Sequence, residues 1–123
     1  MEKKVRFTFK PRERLKKQKD FKRVFDHGKS LGGSTVAFYF MNNGLDYPRA
    51  AFIASKKVSK RAVDRNRAKR LMREVFRLNK HRMKPVDIIF IARKGILGKK
   101  YQDVEKDFLK MAEKAGILKE KSS

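Results

Sequence analysis

Between Lys56 and Arg73 the chain carries nine basic side chains (Lys56, Lys57, Lys60, Arg61, Arg65, Arg67, Lys69, Arg70 and Arg73) and one acidic one, Asp64. A guanidinium grips a phosphate with a planar fork and stacks on bases, whereas an ammonium acts as a point charge. A cluster weighted toward Arg therefore suits a phosphate-rich partner. Asn66 stands between Arg65 and Arg67; its amide donates and accepts at once, so it can fix a neighbouring Arg or read a 2′-hydroxyl or base edge. Helices that merely face water usually mix signs at i, i+4. Here Arg65 and Lys69, Lys69 and Arg73, and Arg73 and Arg77 are like-charged at that spacing. An external anion would relieve that repulsion. The few acids can offset only part of it: Glu74 is within reach of Arg70, and Asp64 of Lys60, Arg61 or Arg67.

A second chemistry lies in the aromatic residues. Phe21, Phe25 and Tyr39 have core packing as their ordinary role. If Phe38 and Phe40 fill the core, however, Tyr39 points to the other face of its strand, with Ile53 and Ser55 as neighbours from the next strand. A short helix bearing Phe21 and Phe25 at that edge would leave a groove of aromatic and small residues, which stacks unpaired bases with little sequence preference. Other chemistries lack their residues. His27 and His81 stand alone near helix ends, there is no Cys, and "RKGILGKK" has the wrong spacing for a phosphate-cradling glycine loop. Asp87 reads as a polar residue at a strand end and Asp103 as a helix cap. The sequence offers no independent catalytic site.

These residues need elements to position them. Phe21, Val24 and Phe25 share one helical face, and Gly28 is placed to stop that helix. Two strands follow in "TVAFYFMNNGLDYPRAAFIASK", joined by a turn at Asn43-Gly44, with Pro48 before the second. The basic segment, about Lys60 to Lys80, carries Ala68, Leu71, Met72, Val75 and Phe76 at i, i+3, i+4, i+7 and i+8, an amphipathic helix. At about 100° per residue, Asn66, Arg70, Arg73 and Arg77 lie opposite this seam. "VDIIFIAR" is a near-continuous apolar run, expected of a strand covered on both sides. A last helix sets Val104, Phe108, Met111, Ala112 and Ala115 on one face and ends at Gly116. The order predicts an α+β fold, a two-layer α/β sandwich of one sheet, mostly four-stranded if a short strand precedes Val36, with three main helices. Residues 1–123 are expected to form one domain, with loose tails at 1–14 and 117–123.

The chain has 35 Lys and Arg against 13 Asp and Glu, a formal charge of +22. Self-repulsion on that scale works against compactness and points to a polyanionic partner. The N-terminus lacks the apolar run of a signal peptide, and no stretch is apolar enough to span a bilayer. With no Cys to form disulfides, the expected location is the cytoplasm, and neither a membrane nor DNA is the expected partner.

The segments "KQKDFKRVFDHGKS", "AFYF", "ASKKVSKRAVDRNRAKRLMREVF" and "DIIFIARKG" occur in this order and at these spacings. Together they resemble the protein component of bacterial ribonuclease P over about Arg14 to Phe108, with Arg65-Asn66-Arg67 and the following "AKRLMRE" as the most specific part. The resemblance implies a sandwich similar to a ribosomal protein domain, with a left-handed βαβ crossover that the usual right-handed rule would not predict. It implies a subunit that joins one catalytic RNA and supports removal of the 5′ leader from precursor tRNA. Magnesium would be required by the holoenzyme and held mainly by RNA, with no metal and no catalytic side chain supplied by the protein. By the same resemblance Lys56, Lys57, Lys60, Arg61, Arg65, Asn66, Arg67, Lys69, Arg70 and Arg73 would face the catalytic RNA. Phe21, Phe25 and Tyr39 would take the leader in a cleft. Some family members add a Tyr near the C-terminus to that cleft; "AGILKEK" has none, and Ile117 or Leu118 could at most replace its packing. The alternative reading is a ribosomal or general structured-RNA-binding protein, and a DNA binder ranks behind it.

Overall fold

The apolar periodicities become three helices and one four-stranded sheet in the computed structural model, which describes residues 9–119. In chain order these are α1 (Gln18–His27), β1 (Lys29–Gly32), β2 (Val36–Asn42), β3 (Arg49–Ile53), α2 (Ala62–Asn79), β4 (Val86–Ala92) and α3 (Tyr101–Ala115). Short 3-10 turns occupy Pro11–Glu13, Lys80–Arg82 and Lys94–Ile96.

The sheet order is β1-β2-β4-β3. β1 and β4 both run antiparallel to β2, while β3 runs parallel to β4. The strands joined through Asn43-Gly44 are thus not neighbours, because β4 inserts between them. The turn itself is as its residues suggest. Gly44 adopts φ +71°, and the Asn43 side chain accepts from the Leu45 N–H at 2.8 Å and donates to the Tyr47 carbonyl at 3.0 Å. The parallel β3–α2–β4 unit is the crossover to which the implied left hand refers.

α2 and α3 cover one face of the sheet. Phe38, Phe76, Phe90 and Phe108 are fully buried there, with the α2 seam of Ala68, Met72 and Val75. Truncating any one of these Phe would cost about 3–5 kcal/mol. α1 lies on the opposite face, where Val24 and Leu15 pack with Ala51 and Ile89. With both faces covered, β4 is the apolar central strand its composition predicts.

The two helix-ending glycines act differently. Gly116 takes φ +71°, a left-handed cap that glycine adopts without steric cost. Gly28 is extended at φ −79°, but a Cβ there would lie 2.4 Å from the Val24 carbonyl oxygen and 2.6 Å from that of Phe40. The position at the end of α1 must be glycine because β2 passes too close for a side chain.

The expected tails are partly built into the fold. Phe9 packs edge-on against Phe52 and Phe76, Arg14 bridges to Ala50, and the buried Glu13 accepts two hydrogen bonds from the buried Lys80 ammonium at 2.7 and 2.8 Å. At the other end Ile117 is buried and Leu118 bridges to Met83. Composition concealed this, since burying a Lys–Glu pair depends on a partner 67 residues away. Residues 1–8 and 120–123 lie outside the described part.

Candidate nucleic-acid interface

The basic face is built on α2 and the loop before it. Burial of the apolar seam turns the opposite side of the helix outward, so Asn66, Arg67, Arg70 and Arg73 are exposed, and Arg65 and Lys69 half-buried. Lys56 and Lys57 sit in an exposed turn after β3, followed by exposed Lys60 and Arg61. Ser59 organises this entrance. Its hydroxyl donates to Asp64 at 2.9 Å and accepts from the Arg61 N–H at 3.1 Å. The Arg65 guanidinium donates back to the carbonyls of Ser59 and Lys60 at 3.0 and 2.8 Å. Asp64 is thereby engaged by a hydroxyl, and it forms no ion pair with Lys60, Arg61 or Arg67.

Glu74 pairs with Arg77 at 2.7 Å, not with Arg70. An acid on the N-terminal side of its cation is the favourable helical orientation. This bond holds the Glu74 carboxyl below its ordinary range. Among the described residues Lys56, Lys57, Lys60, Arg61, Lys69 and Arg70 consequently have no acidic partner. Their charge is directed outward.

The aromatic cleft lies on the other face of the sheet. Pairing register places Ser30, Tyr39, Ile89 and Ala51 in one row, and Gly32, Ala37, Ile91 and Ile53 in the next. Ala37, Ile91 and Ile53 are half-buried, giving a small apolar floor beside the aromatic row. Phe25 is 38 % exposed and meets Tyr39 edge-on at 4.9 Å between ring centres, while Phe21 is half-buried against the same cluster. Tyr39, Phe21, Phe25 and Ile53 thus come together as expected, although β4 separates Tyr39 from β3. Ser55 does not join them: it is exposed beyond the end of β3 and its hydroxyl accepts from the Lys57 N–H at 3.3 Å. Neither Ile117 nor Leu118 reaches the cleft, since both pack in the core beneath α2 and α3.

An ionic cluster the sequence reading missed fixes α1 over the sheet. Fully buried Asp87 on β4 accepts from Arg23 of α1 at 2.6 Å, from Arg49 of β3 at 2.6 and 2.8 Å, and from the Asn43 amide at 3.1 Å. Asp20 closes the group at 3.4 Å from Arg23 and 3.9 Å from Arg49. The bond to Asp87 raises the Arg49 guanidinium above its ordinary range, so it stays charged throughout. The available signal was a lone carboxylate in a strand covered on both sides, since a buried charge must be paired. A second groove of ≈ 320 Å³ at the outer edge of β3, lined by Phe9, Arg14, Lys16, Phe21, Phe52 and Arg73, runs from the cleft to α2. Arg73 lies 5.8 Å over the Phe52 ring there.

A cation-covered helix on one face of a mixed sheet and an aromatic cleft on the other define an α+β protein of the polyanion-binding class. Comparison with known proteins makes the class specific. The family model for ribonuclease P matches residues 9–116. The ribonuclease P protein component of Chromohalobacter salexigens is 47% identical over 89 residues, 72% of this chain and 70% of its own. That of Caldanaerobacter subterraneus is 38% identical over 109 residues, 88% and 93% of the two chains. Among solved structures, the RNase P protein of Staphylococcus aureus superposes with a TM-score of 0.77 at 31% identity, covering 86% of this chain and 97% of that one. The Thermotoga maritima protein gives 0.73 at 34%, covering 83% and 96%. The chain belongs to the bacterial ribonuclease P protein family, the protein component of the endoribonuclease that matures tRNA 5′ ends.

Proposed function

We propose that this chain binds the catalytic RNA of ribonuclease P through α2 and the loop before it, and takes the 5′ leader of precursor tRNA in the aromatic cleft. The observation that carries this reading is the pair of surfaces with different chemistry. Six cations with no acidic partner among the described residues, backed by Arg65, Asn66, Arg67 and Arg73, suit phosphate-dense folded RNA. Phe21, Phe25, Tyr39 and the apolar floor at Ile53 suit an extended strand whose bases are unpaired. The edge groove with Arg73 gives a strand a basic path from one to the other.

The protein's contribution is binding and charge neutralisation, and the RNA carries the chemistry. Magnesium held by the RNA would supply charge stabilisation for phosphodiester hydrolysis in the holoenzyme. Among the described residues no group of three or more His, Cys, Asp and Glu could hold such an ion. Protein cations along the phosphates would let the reaction run with less magnesium. Among the described residues no helix is long and apolar enough to cross a membrane, and the cytoplasm, where precursor tRNA is processed, is the location this reading requires.

The test is precursor tRNA cleavage by a bacterial ribonuclease P RNA at low magnesium, with and without the protein, on substrates differing only in leader length. Rescue that favours the longer leader is the expected result. Rescue independent of leader length would remove the cleft assignment and leave that of α2. No rescue, with binding to structured RNA retained, would favour the ribosomal or general RNA-binding alternative.

A further inference from the structure

The β4–α3 connection, residues 93–100, has no part in the function proposed above, yet it holds Arg93, Lys94, Lys99 and Lys100 and no acid. It is fastened to the rest of the molecule at three points. Ile96 is buried in the core, and Gly95 lies so near the Ser34 carbonyl that a Cβ would come within 2.0 Å of its oxygen. The third point is Arg67, whose guanidinium donates to the Lys99 carbonyl at 2.7 Å. A loop rich in cations is thereby held against the first turns of α2, although like charges on the two elements repel.

Between loop and helix lies a cleft of ≈ 250 Å³ lined by Asp64, Arg67, Ala68, Ile96, Leu97 and Gly98. Leu97 at its rim is 41% exposed, and Val63, one turn before Arg67 on the same side of α2, is 62% exposed. Single exposed apolar residues need no explanation. Leu97, however, borders this cleft next to the exposed Lys99 and Lys100, so an apolar rim stands beside cations. The acids nearby are already engaged, Asp64 by Ser59 and Asp103 by the Lys100 N–H at 3.1 Å.

We propose that this cleft receives one unstacked nucleobase of the ribonuclease P RNA, with Lys99 and Lys100 on the adjoining phosphates and Arg67 as the positioning residue that holds the loop in place. This rests on the proposed binding of that RNA and extends the interface beyond α2 to a third segment of the chain.

The absence of cysteine allows a direct test in the reconstituted complex of full-length protein and a bacterial ribonuclease P RNA. A photo-crosslinker on Leu97→Cys is expected to mark one or two unpaired nucleotides; crosslinks scattered over helical RNA, or none, would overturn the proposal. RNA affinity across a salt series gives a second reading. Lys99→Ala combined with Lys100→Ala is expected to reduce the slope of log K against log salt by about 1.5, at roughly 0.7–0.9 per cation removed. Leu97→Ser is expected to weaken binding about fivefold at every salt concentration without changing the slope, as loss of one partly buried apolar contact does. The paired control Lys106→Ala and Lys110→Ala, on exposed positions of α3, should bind as the parent does. If the parent binds and both loop variants match it, the loop reading alone is overturned. If the parent itself fails to bind, the functional reading falls as well. Capture of an acidic peptide in place of RNA would also overturn the proposal.

Discussion

Asp87 shows how much one side chain can organise. Its carboxylate joins α1, β3 and the β2–β3 turn, and its own complete burial would be costly without these donors. Asp87→Ala removes the acceptor and leaves the Arg23 and Arg49 guanidiniums with Asp20 as their shared acid, at 3.4 and 3.9 Å. The expected loss is about 3–5 kcal/mol, the usual consequence of breaking a buried pair from one side. A urea titration by circular dichroism measures it, and a loss under about 1 kcal/mol would mean that water replaces the carboxylate. The Phe25 and Tyr39 rings act locally, at the cleft surface. Tyr39→Ala is expected to weaken binding of a long-leader precursor about tenfold, within the range of one base–aromatic stack. Binding of a substrate without a leader should be unchanged; equal losses on both would place Tyr39 in the core alone.

At the scale of elements, helix ends carry the clearest expectations. Gly28→Ala sets a methyl group against two backbone carbonyls, neither of which is a flexible side-chain end, so α1 must shift off β2. Gly116→Ala meets no atom and costs only the left-handed conformation, roughly 1–2 kcal/mol. Thermal unfolding should therefore rank Gly28→Ala below Gly116→Ala, and the reverse order would show that the close approach relaxes freely. α2 and α3 are further joined through Asn79 of α2, which donates to Glu105 of α3 at 2.9 Å; Tyr101, on α3 itself, donates to the same carboxylate. Burial and this bond push the Tyr101 phenol well up, so it stays a donor at neutral pH.

For the whole molecule, charge is the dominant quantity. A protein of +22 that meets RNA by neutralising phosphates should lose affinity steeply with salt; each cation engaged contributes about 0.7–0.9 to the log–log slope. A slope below about 2 would contradict an interface built on the six outward-facing cations of α2 and its entrance loop. Acid should also weaken the free protein. Burial, with Arg82 and Lys119 nearby, lowers the His81 pKa below 6.5. The unfolded chain then binds the proton first, so this contribution to stability is complete above pH 6.5 and is lost as pH falls through the lower folded value. His81→Gln should flatten the fall in melting temperature between pH 7 and pH 5, and an unchanged profile would assign that fall to the carboxylates. The Glu74 carboxyl, held low by Arg77, adds in the same direction at more acid pH.

The sequence by itself determined the kind of the three helices and of β2, β3 and β4, the seam of α2, the face bearing Asn66, Arg70 and Arg73, and the family, because periodicity and charge are local properties of the chain. It also brought Tyr39 and Ile53 toward one surface through the two-residue alternation of strands, and Phe21 and Phe25 through the i, i+4 spacing of a helix. Only the tertiary structure decided that β4 enters between β2 and β3, that Asp87 collects Arg23 and Arg49, and that Glu13 reaches Lys80. It alone sent Ile117 and Leu118 into the core away from the cleft, and bound Arg67 to the loop at Lys99. Each of these joins residues far apart along the chain, and the winning partner depends on which surfaces the packed elements leave within reach. Local pattern shows that a buried charge needs a partner; three-dimensional packing chooses which one.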